Sequence, residues 1–172
     1  SEDEKARYLT HNNNHFDQGF SDFLDAFAEP VGEILKQKHL IRGLDFGSGP
    51  EAVLAEKFRK RGFEISIYDP FFAADESVFE KIYDFVICHE VIEHCFEPLR
   101  EMKIMLDVLK TGGVLAIRTL LHPGPESFES WRYRKDPTHV SFFQKKTFEF
   151  IANKFDLRIL SSDKDITVFE KL

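Results

Sequence analysis

A chain of 172 residues, 42% hydrophobic and 31% charged, is long enough for one domain with a buried core and too apolar to be disordered or collagen-like. Its formal charge of -7 offers polyanions no general attraction, which disfavours nucleic acid as a partner, and no apolar run approaches the ~18 residues of a membrane-spanning helix. Cys88 and Cys95 have no CxxC partner and read as free thiols of a reducing compartment, so with no signal-peptide pattern the expected location is cytoplasmic.

Residues 1–40 are predicted to form an N-terminal helical cap. After a polar stretch from Ser1 to Asn14, Phe16, Phe20, Phe23, Leu24, Phe27 and Val31 recur at helical spacing, with an interruption expected near Pro30. The face of Phe16, Phe20, Phe23 and Phe27 is expected to lie over the mouth of a ligand site and exclude water.

From residue 41 to 172 the pattern alternates between β and α. Strands are predicted at 41–46, 64–68, 83–88, 114–118, 157–161 and 166–170, and helices at 51–61, 99–109 and 146–154. Gly112 and Gly113 are expected to turn the chain before the 114–118 strand. Such alternation implies an open, mostly parallel α/β sheet covered by helices on both faces. The short polar turn between the last two strands requires that pair to be antiparallel.

The most informative stretch is Gly43-Leu44-Asp45-Phe46-Gly47-Ser48-Gly49-Pro50, a strand that enters a glycine turn and then a helix. Glycines let the backbone bend and approach a ligand, and the helix N-terminus behind them supplies unpaired N–H groups. Asp69 closes the second strand, where a carboxylate can accept the hydroxyls of a ribose. The spacing Gly47-x-Gly49-x-x-Ala52 also fits a dinucleotide fingerprint, and alone that match is weak. Asp45 and Pro50 weigh against a nicotinamide cofactor.

This stretch resembles motif I of the class I S-adenosylmethionine-dependent methyltransferases, and the resemblance runs over about residues 41 to 172. Asp84 to His94, Pro98 and Gly112-Gly113 are similar to the family's fourth strand and the region after it. The resemblance implies a Rossmann-like sheet with an antiparallel last strand, S-adenosyl-L-methionine as cofactor, and Asp45, Gly47, Gly49, Asp69 and His89 around it. In one respect the chain departs. Only fourteen residues separate Asp69 from Asp84, so the third strand is expected to be short or missing, and its adenine contacts to pass to Pro70, Phe71 and Phe72.

On the acceptor side, Glu90, Glu93 and His94 stand at i, i+3 and i+4 and are expected on one helical face. With His139 they offer two carboxylates and two imidazoles, a donor set suited to a divalent metal ion. The Glu-x-x-Glu-His element resembles that of metal-assisted O-methyltransferases of the ubiquinone-biosynthesis branch and of small-RNA 2′-O-methyltransferases, in which the metal lowers the pKa of the acceptor oxygen. Without a metal, His94 and His139 are the candidate catalytic base and its orienter; His89 and His122 are further candidates. The segment from Trp131 to His139 is expected to bind the acceptor, Arg132 and Arg134 on an anionic group and Trp131 or Tyr133 on a planar one. The expected function is methylation of a small-molecule oxygen. A catalytically inactive nucleotide-binding module and an RNA 2′-O-methyltransferase are the alternatives.

Overall fold

The computed structural model describes residues 18–172, so Phe16 and the polar stretch before it lie outside the described residues. The strands are β1 (Arg42–Phe46), β2 (Glu64–Tyr68), β3 (Tyr83–His89), β4 (Leu109–Arg118), β5 (Leu157–Asp163) and β6 (Ile166–Lys171). They form one six-stranded sheet in the order β2-β1-β3-β4-β6-β5. β1 to β4 are parallel, and β6 runs antiparallel to both of its neighbours.

Helices α1 (Gln18–Gln37) and α2 (Val53–Lys60) cover one face, α3 (Pro98–Asp107) and α4 (Lys145–Lys154) the other. β3 shows why its sequence reads as an unbroken apolar run. Phe85 and Ile87 enter the core under α1 and α2, while Val86 and Cys88 enter the core on the opposite face. At the start of the same strand, Asp84 accepts the backbone N–H groups of Ile41 and Arg42 at 2.9 and 2.8 Å and so ties β1 to β3.

Three expectations are corrected. α1 is not interrupted at Pro30. Pro30 lies on the exposed face, and the stripe of Leu24, Phe27, Val31 and Leu35 on the other side is almost fully buried, which outweighs one missing backbone bond. Gly112 and Gly113 do not precede a strand but lie within β4, as a bulge: Tyr83 pairs with Leu109 and Phe85 already with Val114, with Gly112 at φ 74°. The helix predicted over 51–61 shortens to Val53–Lys60, entered through Ala52 in a left-handed conformation. The expected gap is real among the described residues, since between β2 and β3 there is only a single bridge, Asp69 to Ala73, and a 3₁₀ turn, Glu76–Glu80.

Candidate active site

The carboxyl ends of β1, β2 and β3 open into a cavity of about 730 Å³. β1 delivers Asp45, the turn behind it Gly47 and Gly49, β2 leads to Asp69, and β3 ends in His89 before Glu90. Gly47 is required twice over: its φ is 82°, and a Cβ there would stand 2.3 Å from Cγ2 of Val91. Gly49, at φ 68°, has nothing within 4 Å of that position, so a ligand can approach its backbone.

Asp69 accepts the N–H groups of Gly49 at 3.0 Å, Phe71 at 2.9 Å and Phe72 at 3.2 Å. It therefore knits the glycine turn to the loop after β2, and Oδ2, which accepts only the Gly49 N–H, retains lone-pair capacity for a ligand hydroxyl. Of the residues expected to replace the third strand, Pro70 and Phe71 line the cavity and Phe72 does not.

Asp45 is 1% exposed, and its Oδ2 has no hydrogen-bond partner among the described residues. Burial, and then the charge of Asp69, raise its pKa to about 7. Five further carboxyl residues, Glu51, Asp69, Glu90, Glu97 and Glu101, line the same cavity, and among the described residues no Lys or Arg does. Such a lining suits a cationic ligand and repels a pyrophosphate.

The predicted lid face divides. Phe20 and Phe23 line the cavity together with Leu24, whereas Phe27 is fully buried against Phe58 and His89. His89 also lines the cavity, but its Nε2 lies 3.3 Å from Nη1 of Arg118. A guanidinium only donates, so this nitrogen accepts. Burial first, and Arg118 second, push the His89 pKa down to about 3. The ring is a neutral wall, not a base.

On the acceptor side the predicted helical face is corrected. Glu90 adopts a left-handed φ of 53°, and Ile92–His94 form one 3₁₀ turn. The bond from Glu90 N–H to the Arg118 carbonyl, 3.0 Å, holds the chain to the sheet, and the left-handed residue then turns it too sharply for an α-helix. The side chains still gather. The Tyr133 hydroxyl contacts Oε2 of Glu90 at 3.2 Å, Oε1 of Glu93 and Oγ1 of Thr119 at 3.1 Å. The phenol donates one proton and the Thr119 hydroxyl can supply a second, so for all three contacts to be hydrogen bonds Glu90 or Glu93 must carry the third. Burial, then the Glu93 charge, raise the Glu90 pKa well above the ordinary carboxyl range. Burial and the two carboxylates raise that of Tyr133 as well.

Nδ1 of His94 lies 3.1 Å from the Thr138 carbonyl, and Nδ1 of His139 lies 2.7 Å from the Tyr133 carbonyl. Carbonyls only accept, so both imidazoles carry hydrogen on Nδ1 and present Nε2 as the lone-pair atom when neutral. Ligand atoms of Glu93, His94 and His139 lie within 4.8 Å of one another, a donor set that fits a divalent ion. Glu90, predicted with them, is outside this group. Glu90 and His94 line the cavity; Glu93 and His139 stand behind them.

Tyr133 was legible in the sequence as a stacking aromatic, not as the bridge between two carboxyl groups. Thr119 and Arg118 carried no signal, because their roles come from β4 lying next to β3. The segment around Tyr133 packs as a chain of rings, His122 on Phe128 at 4.6 Å and Trp131 on Phe142 at 5.7 Å. Arg132, Arg134 and Lys135 are exposed on it.

The sequence matches the profile of a methyltransferase domain over residues 12–162. No curated protein sequence matches it. Among solved structures, a SAM-dependent methyltransferase from Archaeoglobus fulgidus aligns with a TM-score of 0.59 and 17% identity over 91% of this chain and 100% of its own. The plantazolicin methyltransferase BpumL in complex with SAH aligns at 0.65 and 15%, over 100% and 92% of the two chains. An O-methyltransferase family protein from Burkholderia thailandensis aligns at 0.63 and 12%, over 98% of this chain and 62% of its own. At these identities the likeness is one of fold.

Proposed function

The chain belongs to the methyltransferase-domain family, and from that premise we propose that it uses S-adenosyl-L-methionine to methylate an oxygen of a small molecule. The observation that carries the cofactor reading is the cavity lining of six carboxyl residues, with no Lys or Arg among the described residues that line it. S-adenosylmethionine has a sulfonium and an ammonium group, whereas a nicotinamide dinucleotide would bring a pyrophosphate against those carboxylates. Asp45 and Asp69 stand where they can meet an ammonium and a ribose, and Phe20 and Phe23 cover the cavity.

The cofactor supplies an electrophilic methyl carbon for in-line displacement, so the protein's task is alignment and removal of the acceptor's proton. An amine nucleophile needs no base at the moment of attack; a hydroxyl does. The Glu93, His94 and His139 cluster favours the hydroxyl. In this reading His94, which lines the cavity, accepts the proton at Nε2, and the Thr138 carbonyl fixes its tautomer. His139, 4.7 Å away ring to ring, orients it. A divalent ion held by Glu93, His94 and His139 would take that same Nε2 lone pair, so with a metal bound His94 would be a ligand and no longer the base, and the ion would instead lower the pKa of the acceptor hydroxyl.

Calorimetry with S-adenosylhomocysteine, the demethylated product, and with NAD⁺ tests the cofactor. Saturable binding of the first with none of the second is expected. The reverse pattern would overturn the proposal.

A further inference from the structure

Arg118, the last residue of β4, has only 10% of its side chain exposed and takes part in no step above beyond its contact with His89. Its Nε donates to Oδ2 of Asp165 at 2.8 Å, and Nη2 lies 2.5 Å from the same oxygen. Asp165 belongs to the two-residue turn between β5 and β6. On the other side, Nη1 of Arg118 donates to the Phe23 carbonyl at 2.8 Å, and the guanidinium carbon lies 3.9 Å over the centre of the Phe23 ring. Arg118 thus joins the last turn of the fold to the helix at its beginning.

The first turn of α1, up to Phe23, and the residues after it are held differently. Leu24, Phe27, Val31 and Leu35 are buried in the core, and Asp25 pairs with Lys57 on α2 at 2.6 Å and with Arg61, just after α2, at 2.7 Å. The turn that overhangs the cavity lacks such burial, because Phe23 is 37% exposed. What fixes it is the guanidinium beneath, the edge contact of Phe23 on the neutral His89 ring at 5.1 Å, and the bond from Lys57 Nζ to Ser21 Oγ at 2.8 Å.

We propose that Asp165 is a positioning residue for the cofactor, acting through Arg118 to hold the Phe23 turn of α1 closed over the cavity. The proposal rests on the reading of that cavity as the S-adenosylmethionine site. Its physical basis is competition for one buried cation. Two carboxyl groups face Arg118: Asp165, in contact, and Glu90, whose Oε1 is 3.9 Å from Nε. With Asp165 charged, the guanidinium is drawn to the hairpin and its Nη1 edge stays under Phe23. With Asp165 neutralised, the guanidinium loses the charged partner that fixes its Nε edge and can swing toward Glu90 Oε1, leaving the Phe23 carbonyl and ring.

The test compares the wild-type protein with Asp165→Asn, Asp165→Glu, Phe23→Ala and the Asp165→Asn/Phe23→Ala double variant, reading the dissociation constant and off-rate of S-adenosylhomocysteine. Amide exchange over residues 18–25 and over β3 and β4 is followed in parallel without ligand. Asp165→Asn should weaken binding about 10-fold, mainly by faster release, as loss of a charged hydrogen bond implies. Exchange should quicken over residues 18–25 and stay slow in β3 and β4, and Asp165→Glu should restore most of the affinity. The double variant should be no weaker than the worse single variant, because both act on one contact. Unchanged affinity in Asp165→Asn, strictly additive losses, or faster exchange throughout β3 and β4 would each overturn the latch. If the wild-type protein binds no S-adenosylhomocysteine, the cofactor reading falls and this one with it.

Discussion

The proposed cofactor side of the cavity and its proposed acceptor side are built from very different lengths of chain. Asp45, Gly47 and Gly49 occupy a single strand and turn, and Asp69 joins them through a hydrogen bond across twenty positions. Glu90, Glu93 and His94 gain their shape from Tyr133, Thr138 and His139, about forty positions later. The first side is a backbone construction in which glycine torsions and amide donors set the geometry. The second consists of side chains whose positions depend on how a long loop folds back over the end of β3. It follows that backbone damage should fall on cofactor binding, and side-chain damage on the acceptor end.

The largest effect is expected from Gly47→Ala. The new methyl would collide with Val91 at 2.3 Å in a left-handed conformation, a strain of about 2 to 4 kcal/mol. S-adenosylhomocysteine binding should be lost while a lowered melting transition remains. Wild-type affinity in this variant would show that the turn does not shape the site.

Tyr133→Phe sharpens the contrast from the other end. It removes the hydroxyl between Glu90 and Glu93 without touching the glycine turn, at a cost of about 1 to 3 kcal/mol for the partners left unsatisfied. Thermal unfolding should register that loss and calorimetry should find product affinity nearly intact. A fall in affinity as large as that of Gly47→Ala would mean the two sides are not separable.

The smallest effect concerns Asp45. Its folded pKa, about 7, lies above the ordinary value of 3.8, so between those pH values the folded protein keeps a proton that the unfolded chain has released. Stability of the ligand-free protein should therefore fall as pH rises through that window and level off above it. Asp45→Asn should flatten the profile, with little change near pH 4 and a gain of about 3 °C or more at pH 8 by scanning calorimetry. Parallel profiles for the two proteins would show that the carboxyl ionises normally in spite of its burial.

Local chemistry in the sequence was enough for the strand, turn and helix around Asp45, for the continuous apolar run of β3, and for the missing third strand. Each rests on interactions between near neighbours or on the number of residues available. The sequence grouped Glu90, Glu93, His94 and His139 by helical spacing, but the turn there is 3₁₀, Glu90 is left-handed, and only the ligand atoms of the other three lie together. Helical spacing cannot foresee that the chain stays bonded to the Arg118 carbonyl for one more residue.

What only the tertiary structure decided are the contacts that cross the sheet. Pro30 is tolerated inside α1 because the opposite face of the helix is buried. His89 is kept neutral first by its burial and second by Arg118, which β4 sets beside it, and the same arginine meets both Phe23 and Asp165. A strand's register aligns residues that the sequence separates by scores of positions, and burial then decides which of them keeps its charge.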